Sequence, residues 1–225
     1  MAKEKRKKEI RREKIGRKIS EKSISKKQEK QTKLIIIFMA VVIVSIFVFY
    51  WLSLELKKFD YAGLKFEKVK LGKSRFYLGK FPVSDVSGNV VNWLDVYFRE
   101  DPRKLKNIEI KGAIKLKKTI GIAASSSIFE NCSDSFLAAE TLSLFLFKEG
   151  FNIFSGTANK TEAQQLNRTY ISCGNENYSS IFFEKGDKNR IIQNNDCYTL
   201  EFANCEIMNV TERFMLGVYE YSRGI

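Results

Sequence analysis

An uncharged segment of 21 residues, Leu34 to Leu54, follows a strongly basic N-terminal arm in this chain of 225 residues. A helix needs about 20 apolar residues to cross the hydrocarbon core of a bilayer, and it satisfies its own backbone hydrogen bonds there. Tyr50 and Trp51 lie near the far end of the segment, where aromatic rings favour the lipid headgroups. The segment is longer than the apolar region of a cleaved signal peptide, and no small-residue cleavage pattern follows it. The sequence therefore predicts an uncleaved signal anchor, which is a single-pass transmembrane helix.

The basic character of the chain is concentrated in residues 1–33, which contain 15 Lys or Arg and five Glu. Because Lys and Arg beside a membrane span favour the cytosolic side, we expect a cytosolic N-terminus and an extracytoplasmic C-terminal domain at the cell membrane. We expect this tail to contact the lipid bilayer through anionic lipid headgroups. RNA or ribosome binding by the tail is a second interpretation, but no aromatic residues lie between its cations, which argues against nucleic acid as a partner.

Four cysteines, Cys132, Cys173, Cys197 and Cys205, lie on the predicted extracytoplasmic side, where disulfides persist. Four cysteines permit three pairings, and of these we favour Cys197 with Cys205 and Cys132 with Cys173. A metal site is the alternative, but the chain has no C-x-x-C pair and no histidine to support it. We therefore predict disulfides, and neither a metal nor another cofactor.

Five Asn-x-Ser/Thr sequons lie between residues 131 and 211, and they fit a domain outside the cytosol. Asn209 is expected on a helix, where glycosylation is disfavoured. The remaining candidates for glycosylation are Asn131, Asn159, Asn167 and Asn177.

The pattern after the anchor predicts one domain of the α/β class, with α+β as the alternative. We expect one mixed sheet with two main helices packed on it. We divide the chain into a basic cytosolic tail (1–33), a transmembrane helix (34–54), a membrane-proximal stalk with weak strands (55–82) and an extracytoplasmic α/β domain (83–225).

The two main helices are predicted at residues 133–148 and 206–221. The first is apolar on most sides, so we expect it to be buried on more than one face. The second carries one apolar stripe that includes Tyr221, so we expect it to pack on the sheet by that face.

The predicted strands place the first helix in a strand–helix–strand unit. One strand is predicted at residues 119–123 and the next at 151–157, on either side of the helix. Further along the chain, residues 180–184 and 190–193 flank a predicted hairpin turn, and a strand at 197–202 follows.

A polar cluster at Arg99, Asp101, Arg103 and Lys104 supplies the candidate binding residues. Two guanidinium groups can hold a carboxylate or a phosphate bidentately. The alternative is a structural turn, in which Asp101 caps one helical turn and pairs with an arginine.

Catalytic residues are harder to find, because the absence of histidine removes the usual serine and cysteine triads. Ser125–Ser127, with Glu130 and Asp134, follow a strand at the edge where α/β sheets bind ligands. A serine nucleophile there would need Lys117 or Lys118 as its base, and we favour a serine-rich loop that leads to a helix cap. The carboxylates of the predicted hairpin, Glu184, Asp187, Asp196 and Glu201, form no recognisable glycosidase pair.

The segments LDVYFREDPRKL (94–105), NNDCYTLEF (194–202) and TERFML (211–216) resemble a group of uncharacterised archaeal membrane-anchored proteins. The resemblance spans about residues 90–220. It implies a basic N-terminus, one anchor and a small extracytoplasmic α/β domain. That group has no known activity, so no catalytic or binding residue is carried over.

We therefore expect a membrane-tethered extracytoplasmic binding or assembly module, with another envelope protein as its partner. The alternative is a cell-surface enzyme that acts on glycans or peptides through carboxylate or serine–lysine chemistry. A deep pocket with convergent carboxylates would favour the enzyme, and an exposed apolar patch or an unpaired strand edge would favour the binding module.

Overall fold

A computed structural model of the chain describes residues 32–224, except residues 53, 54, 85, 86, 88, 125, 127 and 129–131. Several predictions concern residues outside this part of the chain: the basic tail up to residue 31, the last two residues of the anchor, Ser125, Ser127, Glu130 and Asn131. The chain divides into two compact units, Met1–Leu56 and Lys57–Ile225.

The first unit contains helix α1, Thr32–Leu52, which is long and apolar enough to cross a membrane. It begins two residues before the predicted anchor. The hydroxyl group of Ser45 donates to the carbonyl oxygen of Val41 at 2.8 Å. This polar side chain is therefore satisfied within the helix, as a lipid environment requires.

In the second unit, the first sheet consists of four antiparallel strands in the order β1–β2–β3–β4. Its strands are β1 (Lys58–Tyr61), β2 (Leu64–Leu71), β3 (Ser74–Ser84) and β4 (Val90–Phe98). Its inner face includes Phe66 and Phe81, which are almost completely buried. The structure differs here from the predicted stalk at residues 55–82, because these side chains are part of the hydrophobic core. The compact unit therefore begins at Lys57, and not at Val83.

The second sheet consists of six strands in the order β5–β9–β10–β8–β6–β7. Its strands are β5 (Glu109–Lys111), β6 (Thr119–Ala123), β7 (Asn152–Gly156), β8 (Ser179–Lys185), β9 (Arg190–Asn194) and β10 (Cys197–Phe202). The prediction of a hairpin between β8 and β9 is wrong, because β10 lies between them and is parallel to β8. The hairpin joins β9 to β10 instead, and Asn195 adopts the positive φ of 55° in its turn, which asparagine tolerates.

Two long helices lie between the sheets. The second unit includes the helices α2 (Pro102–Leu105), α3 (Ser135–Lys148), α4 (Lys160–Gln165) and α5 (Ile207–Arg223). Phe81 of the first sheet contacts Phe145 of α3 and Tyr219 of α5, with ring centroids 5.3 and 5.4 Å apart. On the other side of α5, Phe214 contacts Tyr198 of the second sheet at 5.7 Å. The predicted α/β class is thus confirmed, with a second sheet in addition to the mixed one.

The burial of the two helices is the reverse of the prediction. Because α5 is the middle layer, it is buried on more than one face, while Tyr221 of the predicted stripe is 49% exposed. Helix α3 has a buried side and an exposed side, where Phe136 is 71% and Phe147 is 63% exposed. Among the described residues, nothing covers this side of α3. Asn209 lies within α5, as predicted.

Both disulfides are present, but the predicted pairing is wrong. Cys132 pairs with Cys205 and Cys173 pairs with Cys197, each with a Cα–Cα distance of 5.4 Å. The first disulfide joins the segments that precede α3 and α5, two helices that pack together. The second joins the first residue of β10 to the segment that crosses the outer face of the second sheet, where Ile171 is buried.

Candidate functional site

The loop between β4 and α2 contains the predicted binding residues Arg99, Asp101, Arg103 and Lys104. The carboxylate of Asp101 caps α2 by accepting the backbone N–H of Arg103 at 3.1 Å, and Pro102 follows it at the start of the helix. The guanidinium group of Arg103 donates to both carboxylate oxygens, at 2.9 and 2.6 Å. These bonds hold the pKa of Asp101 below its usual range. The geometry is therefore that of the capped turn, the alternative interpretation of this cluster.

The other two cations of the cluster also have carboxylate partners. The Nη1 atom of Arg99 lies 2.6 Å from Oδ2 of Asp134. The Nζ atom of Lys104 lies 3.1 Å from Oε1 of Glu100. The three cations are thus held in one segment, but each pairs with a different carboxylate. Anion binding by this cluster stays a prediction, since an incoming anion would have to displace these partners.

Beneath this loop lies a buried carboxyl group that the sequence analysis missed. Glu212 of α5 is completely buried, and its two oxygens accept the backbone N–H groups of Arg99 at 2.6 Å and Glu100 at 3.3 Å. Burial raises the pKa of Glu212 to about 8. The residue therefore fixes the loop between β4 and α2 onto α5. The spacing of Glu212 from Met208 and Met215 places all three on one side of a helix. Because both methionines are buried residues of α5, this spacing was the available sequence signal for the burial of Glu212.

A cleft of about 840 Å³ lies at the carboxyl ends of β6 and β7, the edge that the sequence analysis identified. Helix α3 forms one wall and residues 167–169 form another. The cleft is lined by Ile122, Ala124, Ser126, Phe136, Ala139, Glu140, Ser143, Ser155, Gly156, Asn167, Arg168 and Thr169. Its volume is in the range of small-molecule or peptide sites.

The polar network beside the cleft does not activate a serine. The hydroxyl group of Ser126 donates to Oε1 of Glu162 at 2.6 Å, and Nη1 of Arg168 lies 3.3 Å from the same oxygen. The hydrogen bond from Ser126 lowers the pKa of Glu162. A carboxylate that binds a proton this weakly is a poor general base near neutral pH.

The proposed lysine bases lie at the wrong end of the strand. Lys117 and Lys118 precede β6, whereas Ser126 follows it, and a five-residue strand separates its ends by about 16 Å. Lys117 is also paired with Asp196 at 2.7 Å. The structure therefore does not bring together the serine and lysine that a serine–lysine mechanism requires.

The remaining carboxylates are separated in the second sheet. Asp196 precedes β10 and pairs with Lys117, whereas Glu201 lies near the end of β10 and pairs with Arg190 at 2.6 Å. Glu184 is exposed on β8, and Asp187 is exposed after it. Among the described residues, no group of three or more His, Cys, Asp or Glu side chains could hold a metal ion. These carboxylates therefore form no common site.

The exposed side of α3 is largely apolar. Its large exposed side chains are Phe136, Leu137, Leu144 and Phe147. Glu140 lies on the same side, lines the cleft and has no cationic partner among the described residues. We call this surface, together with the outer edge of β7, the α3–β7 face.

Among the described residues, strand β7 is the last strand of the second sheet and pairs with β6 alone. The backbone N–H of Asn152 donates to Lys118, on the β6 side. Because alternate residues of a strand direct their backbone groups to the same neighbour, those of Ile153 and Ser155 point away from β6. In the part of the chain that the structure describes, this outer edge is closed only beyond the strand, where Thr157 exchanges hydrogen bonds with residues 169 and 171.

Comparison of the chain with protein-family models, with curated proteins and with solved structures gives no match. A function for this protein is therefore argued from its geometry alone. The resemblance to archaeal membrane-anchored proteins stays a prediction.

Proposed function

We propose that the protein is a membrane-tethered, extracytoplasmic binding module, and that its α3–β7 face binds an extended segment of another envelope protein. The observation that carries this proposal is the exposure of Phe136 (71%), Leu144 (53%) and Phe147 (63%) on one helix. Large apolar side chains grouped on a surface mark interaction sites in soluble domains.

The unpaired edge of β7 supports an extended partner. The backbone groups of Ile153 and Ser155 offer donors and acceptors to an added strand, which is a common mode of peptide recognition. Beside them, α3 provides apolar contacts, and Glu140 provides a negative charge. We therefore expect the bound segment to combine apolar residues with a lysine or arginine.

The polar groups support binding in preference to catalysis. In the described part of the chain, no pair of carboxylates converges in the cleft. Glu212 has the raised pKa of a candidate acid, but it is closed off from solvent and bonded to backbone N–H groups. The described cleft therefore lacks the convergent carboxylates that would favour the alternative, a cell-surface enzyme.

The proposed topology places the N-terminus in the cytosol and the second unit outside the cell membrane. The two disulfides support an oxidising environment, and the basic tail supports the orientation and a contact with anionic lipid headgroups. Asn159, Asn167 and Asn177 are exposed and remain candidates for glycosylation. Protease added to sealed spheroplasts should degrade the second unit. Protection of the second unit would show that the proposed topology is wrong.

Site-specific photo-crosslinking in native membranes tests the docking face. A benzophenone amino acid is placed at Phe136 or Ser155, and at Glu176 as an exposed control outside the face. We expect one discrete adduct from the first two positions, none from the control, and loss of the adduct when Leu144→Asp is added to a folded protein. The absence of an adduct, or an equal adduct from the control, would contradict the proposal. An adduct of twice 26.0 kDa would mean that the partner is a second copy of this chain and not another envelope protein.

A further inference from the structure

The exposed side of α3 carries a row of side chains that are spaced by single helical turns. Phe136, Glu140 and Leu144 follow one another at intervals of four residues, and all three are exposed. Four residues advance a helix by about 6 Å along its axis, so the row is about 12 Å long. Phe147, which is also exposed, lies beside Leu144 on the next turn. The row therefore presents an apolar group, a carboxylate and a second apolar group, in that order.

This row follows strand β7 along its length. A short connection joins the end of α3 to the start of β7, and the backbone N–H of Phe151 donates to the carbonyl oxygen of Leu146 at 3.0 Å. The last turn of α3 therefore lies beside the amino end of the strand. At the carboxyl end of the strand, Phe136 and Glu140 line the cleft together with Ser155. The helix is thus antiparallel to β7, and the row runs from one end of the strand to the other.

An extended segment that pairs with the outer edge of β7 would match this row in spacing. Successive side chains of a strand point to opposite faces of a sheet, so every second side chain of the segment would face α3. Two residues of a strand advance by about 6.6 Å, and one turn of the row advances by about 6 Å. Five residues of the segment would therefore offer three side chains to Phe136, Glu140 and Leu144, in either chain direction.

Glu140 determines the chemistry of the middle position. The described residues that line the cleft include two charged side chains, Glu140 and Arg168. Arg168 is paired with Glu162, whereas Glu140 has no partner among the described residues. Lys148, the last residue of α3, lies about 12 Å beyond Glu140 along the helix axis. A lysine or arginine at the middle of the segment would therefore supply a partner for the Glu140 carboxylate.

The two ends of the row favour apolar side chains. At one end, the cleft has apolar walls at Phe136, Ile122 and Ala139, and its volume of about 840 Å³ is large enough for a bulky side chain. At the other end, Leu144 is 53% and Phe147 is 63% exposed. An apolar side chain at either end of the segment would remove apolar surface from water on both partners, which favours binding.

We propose that the segment bound by the α3–β7 face has the pattern apolar–x–Lys/Arg–x–apolar, in which each x faces away from α3. The basic side chain pairs with Glu140, one apolar side chain enters the cleft beside Phe136, and the other packs on Leu144 and Phe147. Glu140 is then the residue that determines specificity, because it selects the charge of the middle residue. This inference rests on the proposed function and adds the chemistry of the partner.

Mapping of photo-crosslinks in native membranes, with the full-length chain, tests the spacing. A benzophenone amino acid is placed at Phe136 in one sample and at Leu144 in another, and each adduct is digested and sequenced by tandem mass spectrometry. We expect the two positions to label residues about four apart in one segment of the partner. A lysine or arginine should lie midway between the two labelled residues.

Reversal of the charges tests the role of Glu140. Glu140→Lys should reduce the adduct yield from position 136 by about five-fold, because an attractive pair becomes a repulsive one. Glu176→Lys makes the same change of charge at an exposed position outside the face, and it should leave the yield unchanged. Glutamate in place of the partner's middle cation should restore the yield with Glu140→Lys. The near-ultraviolet circular dichroism of both variants should match that of the natural protein.

The outcomes separate this inference from the proposed function. The pattern is overturned, with a partner of the α3–β7 face still in place, by labelled residues that have no cation between them or that lie in different segments. A yield that Glu140→Lys does not change, or that Glu176→Lys reduces equally, would overturn it in the same way. The absence of an adduct from both positions would overturn the proposed function together with the pattern.

Discussion

The buried carboxyl group of Glu212 should make the stability of the second unit depend on pH. Burial raises the pKa of Glu212 from 4.5 to about 8, so the folded state binds a proton that the unfolded state has released between these values. Stability from this group is therefore fully present below pH 4.5 and is lost as the pH rises through about 8. The two pKa values lie about 3.5 apart, and at about 1.4 kcal/mol for each pH unit the upper limit is about 5 kcal/mol.

Glu212→Gln removes this titration and keeps an oxygen that can accept the backbone N–H of Arg99. For a unit of this size, 1 kcal/mol corresponds to about 2–4 °C in Tm. Between pH 5 and pH 8.5, we expect the Tm of the natural protein to fall by on the order of 10 °C more than that of the variant. The assay is thermal unfolding in mild detergent, followed by near-ultraviolet circular dichroism with the disulfides intact.

Glu140→Gln is the matched control, because Glu140 is exposed and has no partner among the described residues. Its Tm should follow the natural protein at every pH. Parallel curves for the natural protein and Glu212→Gln would refute the reasoning, because they would mean that Glu212 is ionised in both states.

Two further predictions concern the second sheet and its crossing segment. Gly156→Ala should destabilise the protein by about 1–3 kcal/mol, because the added Cβ atom would clash with the carbonyl oxygen of Thr169. Ser155→Ala, at an exposed neighbour, should leave the Tm within about 1–2 °C, and equal effects would contradict this account. Peptide mapping without reductant should find Cys132 with Cys205 and Cys173 with Cys197, which close separations of 73 and 24 residues. Replacing the first pair by serine should cost about 4.5 kcal/mol and the second about 3.5 kcal/mol in denaturant unfolding, and a larger loss from the second pair would oppose this order.

Local patterns in the sequence were sufficient to identify the long elements. The anchor, the first strand of the strand–helix–strand unit and both long helices lie within about two residues of their predicted positions. Each depends on signals within one segment: an uncharged run, a short apolar run, or a helical period with a terminal glycine. The Asn-Asp turn between β9 and β10 was missed because the glycine-containing segment 186–189 has a stronger turn signal. That segment connects β8 to β9 and crosses the end of β10, which lies between them.

Contacts between distant segments were not predictable in the same way. The cysteine pairing depends on which helices pack together and on where residues 171–173 cross the second sheet. Neither is encoded in the spacing of the cysteines, so three pairings were possible and the one that we favoured was wrong. The binding cluster at residues 99–104 shows the same limit, because its composition fits both a capped turn and an anion site. Only the distances to Asp134 and Glu100 distinguish a set of internal ion pairs from an open site.

The errors over α5 and Glu212 have one common cause, which is the assignment of residues 55–82 to a stalk. Without the first sheet, the side of α5 that carries Met208, Glu212 and Met215 would face water, and a glutamate there would be unremarkable. The first sheet covers this side through Phe81 and Tyr219. Once covered, Glu212 requires donors, and the loop that follows β4 supplies two backbone N–H groups. The sheet that buries the carboxyl group therefore also delivers the loop that satisfies it, which couples the start of the second unit to its last helix.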